Sequence, residues 1–145
     1  MANELLGLED GERIVARAAA SFRGATSSSI SSTFALGSAR KRMEAYQAWR
    51  MQADVAGFKT ESPEMVLGLT ERRLVVWKTT FWLNRPGAIA GDVPLEKVHD
   101  VATMRHGMFT SLAIAFRDGQ IVEVEAMRGR RLRHLATAMQ ALLGT

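Results

Sequence analysis

The chain has 145 residues, of which 47% are hydrophobic and 23% charged, with a formal net charge of +4 and no cysteine. That length suits one domain, residues 1–145, burying about 68–70% of the surface its unfolded chain would expose. The composition excludes a disulfide framework, a thiolate metal site and a thiol nucleophile, and the modest charge falls short of a dedicated nucleic-acid binder.

Residues 1–12 place Leu5, Leu6 and Leu8 before the acidic turn Glu9-Asp10-Gly11-Glu12. The start lacks the basic-then-apolar layout of a secretory signal. No apolar run approaches the roughly 18 residues of a membrane span, so a cytoplasmic protein is expected. Ile14–Phe22 fits two periods. As a strand it sets Ile14, Ala16, Ala18, Ala20 and Phe22 on one face; as a helix it aligns Ile14, Ala18 and Phe22. The strand is preferred. Residues 24–37 are small and polar and read as a flexible loop. Ser38 is then a suitable N-cap for a helix to about Ala53, with Gly57 as a stop. Met43, Tyr46, Trp49 and Ala53 form its apolar stripe, and Arg40, Lys41, Arg42 and Arg50 its basic side. Residues 24–60 thus read as an insertion after a first strand.

Alternating runs follow at Met65–Thr70, Leu74–Thr79, Val98–Met104, Leu112–Phe116 and Ile121–Ala126. A turn around Thr70–Arg73 sets Leu69 beside Leu74 and Leu67 beside Val76. In the last hairpin, a bulged three-residue loop Arg117-Asp118-Gly119 sets Ile114 opposite Val122 and Leu112 opposite Val124, keeping one face apolar. Arg130–Leu143 changes to helical period, with Leu132, Leu135, Ala136, Met139, Leu142 and Leu143 as the stripe that covers the strands.

Three features carry a resemblance: the opening Gly11-Glu12-Arg13-Ile14-Val15, the hairpin Leu69-Thr70-Glu71-Arg72-Arg73-Leu74-Val75-Val76, and Val93-Pro94-Leu95-Glu96-Lys97-Val98. With the Phe116–Val124 hairpin before a terminal helix, the chain resembles small bacterial proteins of the pleckstrin-homology-like (PH-like) superfold over residues 11–21 and 65–143. The resemblance implies an α+β, mainly β architecture. It would be a bent antiparallel barrel or sandwich of about seven strands, with a C-terminal amphipathic helix and a helical insertion after the first strand. It implies a platform for phosphoinositides, peptides or protein partners, and no enzyme. The lysine-and-arginine motif of lipid-binding members is not reproduced by Arg13, Arg17 and Arg23.

Arg128, Arg130, Arg131 and Arg133 gather at the start of the last helix, where free amides and the helix dipole favour an anion. They suit either a phosphate or lipid-headgroup site or a solvated network neutralised by Glu123, Glu125 or Asp118; the network is preferred. Lys78 and Arg85 flank Phe81 and Trp82, which could meet a membrane or a partner or fold back on the core. Tyr46 and Trp49 on the inserted helix carry the same choice. Either His99 or Asp100, but not both, is expected to be exposed, and the three histidines have no metal spacing. Glu123 and Glu125 lie on the outward face of their strand, without a partner for acid–base work. No cofactor, metal or catalytic residue is expected. The function expected is a non-catalytic module that binds a protein partner or a second copy of itself. Peripheral binding to anionic lipid is the alternative, and nucleic acid ranks last.

Overall fold

A computed structural model describes residues 6–23, 35–79 and 86–144, with backbone alone at 35–39 and 86. The chain runs β1 (Ala16–Phe22), α1 (Ala35–Ala56), β2 (Glu64–Leu69), β3 (Arg73–Thr79) and β4 (Pro86–Pro94). A 3₁₀ turn at Leu95–Lys97 leads to β5 (Val98–His106), β6 (Phe109–Phe116), β7 (Ile121–Met127) and α2 (Arg130–Leu143). The protein is α+β and mainly β: one antiparallel sheet in the order β4-β3-β2-β1-β7-β6-β5.

β1 pairs with β2 along its length but with β7 only at Ser21 and Phe22, so two halves of the sheet meet at one corner. The sheet does not close. The expected barrel is instead an open sheet with β4 and β5 as its edges. Prolines at 86 and 94 remove amide donors from both ends of β4, the placement natural to an edge strand.

Inward positions on every strand build the core. Ala16, Ala18 and Ala20 of β1 face Leu132, Leu135 and Met139 of α2 within one buried cluster that includes Leu67, Leu112, Ile114 and Val124. Each large aliphatic side chain buried there contributes about 1.5–3 kcal/mol. The registers expected at both hairpins are present: Leu69 opposite Leu74, Leu67 opposite Val76, Leu112 opposite Val124 and Ile114 opposite Val122. Gly119 takes φ 95° in the bulged turn, a conformation costly to any residue with a Cβ.

Several boundaries differ from the sequence reading. α1 is already helical at Ala35, so Ser38 lies within it and not at its cap, and residues 35–37 are not loop. β4 has no counterpart among the expected runs because its glycines and prolines obscure any alternation. Ile14 precedes β1 and packs on the convex face with Leu6, Leu8, Val66, Val75 and Trp77, away from the concave alanines. Met43 is exposed, whereas Tyr46 and Ala53 are buried, so the inward stripe of α1 starts one turn later.

The convex cluster depends on Gly68. A Cβ there would overlap the six-membered ring of Trp77, whose indole N–H donates to Leu6 O at 2.7 Å.

An ionic clasp joins the N-terminal segment to the β2–β3 turn. Arg73 donates from Nε to Glu12 Oε2 and from Nη2 to Glu12 Oε1, both at 2.9 Å, in a bidentate fork. Thr70 Oγ1 adds a bond to Glu12 Oε2 at 2.8 Å and the Glu9 amide one to Oε1 at 3.0 Å. Arg73 also reaches Asp92 on β4 and the Gly7 carbonyl. Glu12 is 4% exposed, a burial tolerable for a carboxylate only with such partners. The hydrogen bonds from Arg73 lower the pKa of its carboxyl from the ordinary 4.5 to about 2, despite the opposing effect of burial.

Because the folded value is depressed, the stabilisation is present above the unfolded value of 4.5 and is lost as pH falls toward about 2. By linkage it amounts to at most about 3 kcal/mol. Glu12→Gln is expected to remove most of the decline in urea-unfolding free energy over that acidic range; an unchanged decline would refute the role. Gly68→Ala should cost about 1–3 kcal/mol by overpacking. An unfolding midpoint equal to wild type would show that the indole can move aside.

Candidate functional site

The arginines at the start of α2 are set by a corner at Arg128 and Gly129. Arg128 has φ 62° and Gly129 φ 46°, both left-handed. Arg128 N donates to Met108 O at 2.7 Å, and a Cβ at 129 would overlap Thr110. Such a conformation at a residue with a side chain costs on the order of 1 kcal/mol and persists where contacts impose it. Arg133 Nη1 lies 3.2 Å from Thr110 Oγ1 and 3.3 Å from the Arg128 carbonyl, tying the first turn of α2 to β6.

The neutralising network expected there is not built from Glu123 and Asp118. Glu123 pairs with Arg23 at 3.1 Å, and Asp118 accepts from the Gln120 amide. Glu125 faces outward as expected but is buried at 6% exposed, not solvated. None of Arg128, Arg130, Arg131 and Arg133 forms an ion pair with a described residue, and all four are exposed. Cations at the positive end of a helix cost a few tenths of a kcal/mol each, up to about 1, until an anion joins them.

The neighbouring strand was not singled out from the sequence. From Ala102 to Met108 every residue is exposed, although Ala102–His106 belong to β5. The hydrogen-bond phase of this edge follows from three contacts. Val101 N is bonded to Asp100 Oδ1 at 2.8 Å and Val101 O to Gln140 Nε2 at 2.9 Å, so its main chain points away from β6. Phe116 N bonds Gln120 O in the next hairpin, which assigns the even residues of β6 to β7 and the odd ones to β5. In antiparallel ladders the assignment alternates. Asp100, Ala102, Met104 and His106 therefore bond to β6, while Val101, Thr103 and Arg105 present N–H and C=O to the open edge. The Val101 groups are capped by side chains. Those of Thr103 and Arg105 meet no partner among the described residues.

The two faces of this edge differ. Arg105 pairs with Thr110, the acceptor of Arg133, so both cations reach the concave side of the hairpin tip. On the convex side Met104 is paired with Ser111, and His106 with Phe109, itself paired with Met127. Met104, Met108 and Met127 are 61%, 62% and 60% exposed. The nearby cation on that side, Arg23, is already held by Glu123 and lies 3.1 Å from His106 Nε2. A sequence signal existed: Val98–Met104 contains polar residues at both alternation phases, and of this run Val98 and Val101 alone are buried. His99 and Asp100 are in fact both exposed, since a register shift between Val98 and Asp100 breaks the alternation.

The other singled-out residues lie elsewhere. Tyr46 is 2% exposed and its hydroxyl is 3.0 Å from Thr60 Oγ1, which leaves it no surface for a partner or membrane. Trp49 is half-buried, stacks near Tyr46 and donates to Glu123 O at 2.7 Å, fastening α1 to β7. Lys78 is exposed at the end of β3, apart in the sheet from β5. Phe81, Trp82 and Arg85 lie outside the described residues. Clefts of about 300 and 470 Å³ flank α1, the first beside Trp49 and Ile121, the second beside Val55 and Phe116. Neither gathers a nucleophile with a base. Among the described residues no group of three His, Asp or Glu side chains could hold a metal, and no helix is long and apolar enough to cross a membrane.

No protein-family model matches the chain, and no curated protein matches it in sequence.

The phase assigned to β5 is directly measurable. In amide hydrogen exchange, Thr103 and Arg105 should exchange close to their intrinsic rates while Ala102 and Met104 are protected. Val101 should lose protection in Asp100→Ala. The opposite alternation would refute the open-edge assignment.

Proposed function

We propose that this protein is a non-catalytic, PH-like protein-interaction module that takes up an extended segment of a partner along β5. The strand order, with a C-terminal helix across the concave face, supports the PH-like reading. The observation that carries the function is the outward main chain of Thr103 and Arg105, which meets no partner among the described residues on an exposed edge strand. Long open edges invite strand pairing and are commonly blunted by prolines, inward charges or cover. β4 carries such prolines; among the described residues β5 is capped only at Val101. Main-chain bonds would supply affinity in this mode, and side chains on alternate positions selectivity. Exposed methionines add an adaptable apolar contact.

Anionic lipid is the second reading, carried by the arginines at the start of α2, which pair with no carboxylate among the described residues. It ranks below because it leaves the open edge unused.

The two are separable with one substitution. Thr103→Pro removes an outward amide without touching the β6 ladder, a replacement an edge strand tolerates. A photo-crosslinker at Met104 should trap a discrete polypeptide in cells, and Thr103→Pro should abolish the adduct while the melting temperature stays near wild type. An adduct that survives Thr103→Pro would overturn strand addition. Cosedimentation with acidic vesicles that falls with salt and is lost in Arg130→Ala/Arg131→Ala would install the lipid reading in its place.

A further inference from the structure

Resting on strand addition at β5, the geometry points to the class of segment accepted: one in which acidic and apolar residues alternate, its carboxylates on the concave side and its apolar side chains on the convex side. A strand added to β5 must continue the pleat, so its successive side chains fall on opposite faces. On the concave side its neighbours are Thr103 and Arg105, with Arg133 brought to the same place through Thr110. Neither Arg105 nor Arg133 pairs with a carboxylate of a described residue. Arg128, whose amide bonds Met108 O at the hairpin tip, and Arg130 and Arg131 in the first turn of α2 are further exposed cations. On the convex side the neighbours are Ala102, Met104 and His106, with Met127 two strands away. The cation there, Arg23, already has Glu123, so a further carboxylate on this side finds nothing unpaired. Opposite charges placed across neighbouring strands are favourable and like charges unfavourable.

The same charges argue against a second copy of this chain as the occupant. Two β5 edges meeting antiparallel would bring Arg105 and Arg133 of both copies together. The carboxylate on β5, Asp100, is already bonded to Val101 N.

The test uses the full chain and three short labelled peptides, followed by fluorescence polarisation. One alternates Glu and Val, one alternates Lys and Val, and one holds the Glu and Val residues in two blocks. The alternating acidic peptide should bind at least about tenfold tighter than either other, a difference of about 1.4 kcal/mol. Arg105→Gln should narrow the gap and Arg105→Glu should reverse it in favour of the Lys peptide, with circular dichroism checking that each variant is folded. Equal binding of the block peptide would show general charge attraction and overturn the inference. So would preference for the Lys peptide, or no binding of the acidic one. Thr103→Pro keeps the two levels apart. Peptide binding sensitive to Thr103→Pro but indifferent to charge and order refutes only the alternating acidic segment, while insensitivity to Thr103→Pro refutes strand addition itself. A concentration-dependent dimer in sedimentation velocity, lost in Thr103→Pro, would assign the edge to a second copy and overturn the inference.

Discussion

A seven-stranded antiparallel sheet that folds over itself without closing has one concave face to cover and two edges to satisfy. The positions of both helices follow from the first requirement. α2 presents Leu132, Leu135 and Met139 to the alanines of β1, whose small side chains leave room for a helix over the middle of the sheet. α1 covers the corner where β1 meets β7, through Phe22, Tyr46 and Trp49. The second requirement is met unequally. β4 ends in prolines, whereas the main chain of β5 is bonded outward at Val101, where α2 reaches it with Gln140, and at Thr103 and Arg105 meets no partner among the described residues. The candidate site is thus the stretch of β5 whose outward main chain the covering helix does not bond.

Two of the sequence motifs, the opening Gly11–Val15 and the hairpin Leu69–Val76, act in folding. Glu12 in the opening motif and Thr70 with Arg73 in the hairpin motif meet in one buried cluster. A bidentate arginine on a carboxylate excluded from water is geometrically demanding, and removing either partner leaves a buried charge uncompensated. These residues, far apart in sequence, hold the N-terminal segment over the convex face, where it covers Trp77 and Val66. Function then has to be sought elsewhere, at groups the fold leaves unsatisfied.

Much of the fold was legible because periodicity and turn chemistry agreed. The alanine-rich β1, both hairpin registers and the limits of α2 all follow from which spacing keeps one face apolar. β4 was not legible, since two prolines and two glycines in nine residues carry no alternation. The early start of α1 was not legible either, because Ser38 offered a plausible cap inside a segment already helical. At the candidate site the arginine cluster was visible as composition, but its lack of carboxylate partners depended on tertiary structure, which gives Glu123 to Arg23. The open edge was hidden for a different reason. Which strand lies at the border of a sheet is decided by pairing between distant segments, so the polar residues at both phases of Val98–Met104 signal exposure without showing an edge.

The most direct measurement is a backbone chemical-shift titration of the isotopically labelled protein with an acidic extended peptide. The Thr103 and Arg105 amide protons should move downfield as they gain acceptors, ahead of every other amide, with Ala102 and Met104 shifting less. Shifts confined to Arg128–Arg133, with Thr103 and Arg105 unmoved, would contradict strand addition and leave a purely electrostatic contact at the start of α2.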